Sequence, residues 1–309
     1  MTADVAGRRC VVLGGGGFIG TNLRAALAAA GAEVVGFGHP PQAAAPAGGW
    51  IAGEYADKAA VARAVRDADI VFHLLGTSDP GRSNLDPGEE ARTGLPAHLG
   101  VLEACRDAGV GKLVALSSGG AIYRPRLPLP IGEDAPTDPV SAYGVGKLAA
   151  EKFCGLFRYL YGLDITVLRV ANPFGPHQSP HRGQGFVAKL VWSAIRGEPI
   201  RIWGDGGAVR DFLYIDDAVD AIVAAASTSD VAGPLNIGSG VGRTLRSVID
   251  DVGDVLGREV QVVYEPARAA DTPANVLDIT RAAREIGWRP RFAWPDALRL
   301  THRWLLASA

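Results

Sequence analysis

The stretch VVLGGGGFIG, residues 11–20, decides the fold of this chain. An apolar run ends within it, glycines follow at three-residue spacing, and an apolar, alanine-rich segment continues beyond it. Glycine permits a tight turn and lets the backbone approach a pyrophosphate, which the N–H groups and dipole of a helix N-terminus then bind. The spacing predicts a dinucleotide-binding loop between the first strand and the first helix, with Gly14, Gly17 and Gly20 against the cofactor.

The alternation of apolar runs and helical segments continues through the first half of the chain. Predicted strands lie at 10–13, 33–37, 70–74, 112–116 and 165–170, and predicted helices at 20–30, 58–66, 89–108 and 141–161. The strand runs are apolar at successive positions, which indicates strands buried on both faces, as in a parallel sheet. Repeated βαβ units predict an α/β fold, a Rossmann-like doubly wound parallel sheet.

This alternation breaks after Asn172. A segment rich in Pro, Gly, His and Arg is expected to form a loop, and shorter elements follow it. These are a loop at 173–185, strands at 200–203, 212–214 and 235–237, and a helix at 217–227. We therefore expect a dinucleotide-binding domain over 1–172, to which 211–238 return, and a smaller, mixed α/β substrate domain over 173–309.

Composition excludes several classes of protein. The chain has 309 residues, of which 48% are hydrophobic and 21% charged, and its formal net charge is −2. It has no basic stripe and no amphipathic basic helix, so we expect neither a nucleic-acid nor a membrane partner. Three cysteines without a C-x-x-C pair indicate buried thiols in a reducing compartment. Six histidines lack metal-ligand spacing, and no signal peptide precedes the first strand, so we expect a cytoplasmic protein without a metal.

A tyrosine and a lysine stand four residues apart in the segment YGVGK, residues 143–147. Side chains at this spacing share one face of a helix. The ammonium of Lys147 would stabilise the phenolate of Tyr143, so the tyrosine could act as a base at neutral pH. The alternative is an ordinary surface pair, because this spacing occurs in many helices.

The end of the second predicted strand leaves the choice of cofactor open. A carboxylate usually stands there and binds the adenosine ribose of NAD, whereas an arginine accommodates the 2′-phosphate of NADP. This chain has Gly38 and His39 instead. We expect NAD, with NADP not excluded. Glu54 and Tyr55, after the third strand-like segment, either meet the adenine or form a solvated pair.

Several motifs in order along the chain resemble the extended short-chain dehydrogenase/reductase family, in its NAD-dependent nucleotide-sugar epimerase/dehydratase branch, which includes UDP-glucose 4-epimerase-like proteins. They are GGGGFIG (14–20), VFHLLG (71–76), LSSGGAIY (116–123), YGVGK (143–147), RVANPFGP (169–176), GDGGAVRDFLYIDD (204–217) and LNIGSG (235–240). The resemblance covers nearly the whole chain. It implies a nucleotide-sugar substrate, probable handles being discussed below only as far as the residues allow, and a homodimer formed through helices 89–108 and 141–161.

The resemblance also implies roles for individual residues. Tyr143 would be the base and acid for a sugar hydroxyl, and Lys147 would bind the nicotinamide ribose. Further cofactor contacts are expected from Phe18, Ile19, Leu74, Leu75 and Val170, in addition to the glycines, His39, Glu54 and Tyr55. Substrate contacts are expected from Ser118, Asn172, Arg182, Val187, Arg201, Trp203, Arg210 and Arg268. Forked guanidinium groups suit a diphosphate, the role assigned to Arg210 and Arg268.

Three positions depart from the family pattern. Gly119 replaces the usual catalytic Ser or Thr, so the resemblance transfers that role to Ser118. Gly94 replaces an asparagine at the start of a helix, and Arg124 replaces a glycine after Tyr123. These changes concern the fine geometry of the site, whereas the Tyr/Lys pair is intact.

The residues after the serines favour one reaction of this branch. Dehydratases and decarboxylases need an additional acid or base there, and Gly119–Ala121 offers none. We therefore expect an NAD-dependent isomerase, a 4-epimerase of a nucleotide sugar, through a transient 4-keto intermediate. UDP is the expected nucleotide, by resemblance, and the sugar a hexose or a hexuronic acid. The alternatives are an NAD(P)H-dependent reductase and a non-catalytic NAD(P)-sensing protein.

Overall fold

The computed structural model describes residues 5–39, 48–74, 76, 83–181, 185–267 and 272–308. Three of the predicted site residues, Leu75, Arg182 and Arg268, lie outside these ranges. The strands are β1 (Arg9–Leu13), β2 (Glu33–Gly38), β3 (Gly49–Ala52), β4 (Ile70–His73), β5 (Lys112–Ser118), β6 (Ile165–Val170), β7 (Asn172–Phe174), β8 (Ile200–Trp203), β9 (Val209–Tyr214), β10 (Pro234–Ile237), β11 (Gly242–Thr244), β12 (Val262–Glu265) and β13 (Ala274–Asn275). The helices are α1 (Phe18–Ala29), α2 (Lys58–Val65), α3 (Pro87–Glu89), α4 (Leu95–Asp107), α5 (Ala142–Tyr161), α6 (Phe186–Arg196), α7 (Ile215–Ala226), α8 (Leu245–Leu256), α9 (Thr280–Glu285) and α10 (Trp294–Ala307).

Seven strands form one parallel sheet in the order β10-β6-β5-β4-β1-β2-β3. Successive side chains of a strand point to opposite faces, and both faces are covered here. Val12 packs with α1 and α7 on one face, whereas Val11 and Leu13 pack with α2, α4 and α5 on the other. This arrangement confirms the predicted doubly wound sheet and explains why its strands are apolar at successive positions.

The second half of the chain contributes to more than one sheet. Strand β10 lies beside β6 in the large sheet, while β9 joins β7, β11 and β13 in a smaller one. A further pair, β8 and β12, runs parallel at the surface. The boundaries of the two domains stay a prediction. Among the residues described, no helix is both long and apolar enough to cross a membrane.

Two local predictions from the sequence were wrong. The segment expected to be a loop begins with a short strand, because β7 pairs with β9 as soon as β6 ends. The helix expected over 89–108 is divided into α3, a π-helical turn at Glu90–Gly94 and α4. Pro96 at the start of α4 has no amide hydrogen to donate to the preceding turn, so regular helical pairing cannot run through it.

Candidate active site

The carboxyl ends of the parallel strands open into a cleft of about 1540 Å³. The glycine loop lies at one end, and the smaller sheets close the other side. Ser118, Tyr143 and Lys147 form one wall, which we call the tyrosine wall. Residues of β8 and β9 form the facing side, which we call the arginine wall and define by Arg201, Trp203 and Arg210.

The glycine loop has the close approach that the sequence predicts. Gly14 has a φ of +89°, a conformation that glycine adopts without strain. A Cβ on Gly20 would lie 2.2 Å from the carbonyl oxygen of Gly14, so α1 crosses the loop at a distance that only glycine permits. No side chain caps α1. The uncapped helix start therefore fits the pyrophosphate of a dinucleotide, which backbone N–H groups and the helix dipole would bind.

The other predicted cofactor residues divide into two groups. Phe18, Ile19, Leu74 and Val170 line the cleft together with Gly14, Gly17 and Gly20. His39, Glu54 and Tyr55 lie instead beyond the ends of β2 and β3, where His39 Nε2 is 3.4 Å from Glu54 Oε1. The hydroxyl of Tyr55 is directed inward and lies 3.1 Å from Nε2 of the buried His73. The adenine contacts of Glu54 and Tyr55 stay predictions.

Helix α5 places Tyr143 and Lys147 on the cleft. It begins after Ser141, whose hydroxyl accepts a hydrogen bond from the N–H of Gly144 at 3.1 Å. The ammonium of Lys147 lies 5.8 Å from the centre of the Tyr143 ring and donates to the carbonyl of Leu116 at 3.3 Å. The pair is therefore held between its own helix and the end of β5.

The glycines between these two residues have a packing role that the sequence did not reveal. A Cβ on Gly144 would lie 2.3 Å from the carbonyl oxygen of Ala121, and one on Gly146 would lie 2.2 Å from Cγ of Glu90. Both distances are far below van der Waals contact. Glycine at these positions lets the first turns of α5 lie directly against the loop that follows β5, which carries the serines.

The loop after β5 also explains the missing third serine. A Cβ on Gly119 would lie 2.5 Å from Cδ1 of the buried Leu277 and 2.9 Å from the carbonyl oxygen of Arg169. A Ser or Thr at that position requires these groups to move. Ser118 ends β5 and lines the cleft, so it is the hydroxyl that this local packing leaves beside Tyr143.

The predicted substrate residues within the described ranges all line the cleft. They are Ser118, Asn172, Val187, Arg201, Trp203 and Arg210. Arg201 and Trp203 are alternate residues of β8 and project from its exposed face, because strand side chains alternate. Arg210 is half-buried on β9, and the amide of Asn172 donates to the carbonyl of Asp211 at 2.9 Å. Their roles toward a substrate stay predictions.

Two features of the site were missed in the sequence. Gln178 lines the cleft and is nearly buried, although its segment reads as a solvated loop. Behind Lys147, His73 Nε2 lies 2.8 Å from His98 Nδ1. Burial, with the positive charge of Lys147, lowers the pKa of His98 to about 4, and burial lowers the pKa of His73 well below its usual value. Both rings are therefore neutral at pH 7.

Comparison with known proteins agrees with this geometry. A model of the NAD dependent epimerase/dehydratase family matches residues 10–238. The chain belongs to this family. Its resemblance to the extended short-chain dehydrogenase/reductases is thereby confirmed. Within the described residues, no group of three or more His, Cys, Asp or Glu side chains is placed to hold a metal ion.

Similar proteins cover almost the whole chain. The UDP-glucose 4-epimerase of Mycolicibacterium smegmatis is 33% identical over 305 residues, 95% of this chain and 97% of the relative. The UDP-glucose 4-epimerase of Thermotoga maritima, solved with UDP-glucose, superposes with a TM-score of 0.91 at 31% identity, over 97% of this chain and 99% of that one. The Thermus thermophilus UDP-glucose 4-epimerase, solved with NAD, gives 0.90 at 32% identity, over 97% of this chain and all of that one (100%).

Proposed function

We propose that this protein is an NAD-dependent 4-epimerase of a UDP-linked hexose or hexuronic acid. The observation that carries the proposal is the composition of the cleft. It joins a dinucleotide loop, the Ser118–Tyr143–Lys147 wall and a wall with two guanidinium groups. Relatives of nearly the same length are UDP-glucose 4-epimerases, and solved examples contain UDP-glucose or NAD.

The carboxylates of the cleft favour epimerisation over elimination. Among the described residues that line it, Glu198 is the only acid. Its carboxylate lies 2.8 Å from Nε of Arg196, just before β8 and on the side of the arginine wall. The tyrosine wall thus contains no additional acid or base for the removal of water or carbon dioxide.

The residues of the tyrosine wall then have distinct tasks. Bound NAD would supply the redox chemistry, taking hydride from C4 of the sugar and returning it to the opposite face. Tyr143 Oη accepts the proton of the 4-hydroxyl and later returns it, while the ammonium of Lys147 stabilises the phenolate. The Ser118 hydroxyl holds the sugar oxygen in position beside the tyrosine. The arginine wall binds the diphosphate and base, so the 4-keto sugar can turn without leaving.

A one-way NAD(P)H-dependent reductase is the second candidate. It would use the same Tyr, Lys and Ser, and the absence of a carboxylate at Gly38 favours it. The wall formed by Arg201 and Arg210 speaks against a small ketone, because such a substrate has no diphosphate to bind.

A panel of sugar nucleotides tests these two candidates. UDP-, dTDP-, GDP- and CDP-linked hexoses and hexuronic acids are incubated with the purified protein, and the products are resolved by NMR. We expect a UDP-sugar to interconvert with its C4 epimer without added cofactor. Stoichiometric consumption of NADPH with an accumulating alcohol would instead establish the reductase.

The proposal includes a homodimer, whereas a cytoplasmic location stays a prediction from the sequence. Helix α5 exposes Val145, Leu156, Tyr159 and Leu160, with Tyr159 85% accessible. An apolar helix face of this kind is typical of an interface. Light scattering should give twice the mass of the chain, and Leu160→Glu should give the mass of one chain. A monomeric unmodified protein would contradict this part of the proposal.

A further inference from the structure

Arg24 of α1 buries its guanidinium without a hydrogen-bond partner. The residue is 1% exposed, and none of its three side-chain nitrogens has a partner within the part of the chain that the structure describes. Burial also lowers the pKa of Arg24. An unpaired charge inside a protein is destabilising, and it is retained only where something compensates for it. The surroundings of Arg24 therefore indicate what the charge is for.

Two glycines and a tryptophan make room for this side chain. A Cβ on Gly15 would lie 2.9 Å from Arg24 Cδ, and one on Gly36 would lie 3.0 Å from Arg24 Nε and 2.3 Å from Cζ3 of Trp50. Arg24 Cζ lies 4.9 Å from the centre of the Trp50 ring, a cation–π contact. A glycine inside a strand marks a close approach, and Gly36 of β2 marks this one.

The pocket of Arg24 extends to the end of β2. The indole N–H of Trp50 donates to the carbonyl oxygen of Gly38 at 3.3 Å, so one indole ring separates the guanidinium from Gly38. Gly38 has a φ of +124°, and a Cβ there would meet no atom within 4 Å. In dinucleotide-binding folds, a carboxylate at the end of this strand binds the ribose 2′-hydroxyl of NAD, and an arginine nearby accommodates the 2′-phosphate of NADP.

We propose that Arg24 selects the cofactor, and that its guanidinium turns toward Gly38 to bind the 2′-phosphate of NADP, so that the protein binds NADP as well as NAD. The inference rests on the dinucleotide site of the proposed function. A planar, forked guanidinium suits a phosphate. No carboxylate stands at Gly38 to repel it, and the nearest one along the adjacent strand, Glu54, contacts His39.

Titration calorimetry with NAD and NADP, without any sugar, tests the proposal. For the unmodified protein we expect dissociation constants within about tenfold of each other. Arg24→Met should weaken NADP by about tenfold or more while changing NAD by less than about threefold. Arg24→Lys keeps the charge but loses the fork, and it should lie between the two. It carries the test if the methionine variant does not fold.

Two further variants separate this reading from its competitors. Arg63→Met removes an exposed arginine of α2 and should change neither constant. Glu54→Gln should leave the ratio of the two constants within about threefold. The proposal is overturned if the unmodified protein binds NAD alone, if Arg24→Met weakens both cofactors equally, or if Glu54→Gln changes the ratio and Arg24→Met does not. Binding of neither cofactor would overturn the proposed function itself.

Discussion

The tyrosine wall is packed against backbone, whereas much of the arginine wall projects from a short surface strand. A Cβ on Gly144 or Gly146 would overlap its neighbours by more than 1 Å relative to ordinary contact, and Lys147 is bonded to the carbonyl of Leu116. By contrast, the Arg201 side chain is 73% exposed. The difference suits the two tasks. Proton transfer needs fixed atoms, while a nucleotide can be held by side chains that close on it.

Removal of the Tyr143 hydroxyl should have the largest effect. Tyr143→Phe takes away the group that exchanges a proton with the sugar, so kcat should fall by about 10²–10⁴-fold. NAD affinity, measured separately by calorimetry, should change little. Tyr159→Phe is the matched control, because that hydroxyl lies on the same helix but on the exposed side, and it should retain full activity. Near-normal turnover of Tyr143→Phe would remove the basis of the proposed chemistry.

The interior behind the tyrosine wall should make stability depend on pH. The pKa of His98 is about 4 in the folded chain and about 6.5 in an unfolded one, so the unfolded state binds more protons between these values. Stability is fully present above pH 6.5 and is lost as the pH falls toward 4, by up to about 3 kcal/mol from this residue. Urea unfolding at pH 7.5 and pH 4.5 measures the loss, and His98→Gln should reduce it. An equal loss in both proteins would contradict the assignment.

Gly144→Ala tests whether tight packing positions the tyrosine. The new methyl group would meet the Ala121 carbonyl at 2.3 Å, so α5 must shift, and a shift of about 1 Å can cost about 100-fold in rate. Gly155→Ala is the control on the same helix, because nothing lies within 4 Å of its Cβ position. It should keep kcat and stabilise the helix by about 0.5–1 kcal/mol. Equal kcat values for the two variants would show that the packing at Gly144 does not matter.

The two walls also differ in how far the sequence predicts them. The strand before the glycine loop, the loop itself and the Tyr143–Lys147 spacing are local patterns, and each was found at its place. The packing functions of Gly36 and Gly144 depend on residues far away in the chain, Trp50 on a neighbouring strand and Ala121 on a neighbouring loop. A single sequence does not state which elements become neighbours. For the same reason, the His73–His98 contact and the burial of Arg24 were not predicted.

Within the arginine wall, Arg210 and Arg201 should contribute unequally. Arg210 is half-buried on β9 and aligned with Asn275 of β13, so a diphosphate bound there would be partly shielded from water. Arg210→Met should raise KM for the UDP-sugar by about tenfold or more, with kcat changed by less than about threefold. Arg201 is largely in solvent and lies 3.4 Å from Glu265, so Arg201→Met should change KM by less than about threefold. If both variants raise KM alike, exposure does not decide which arginine binds. If Arg210→Met lowers kcat instead, the arginine wall takes part in positioning the reacting sugar, and the division of tasks between the two walls is wrong.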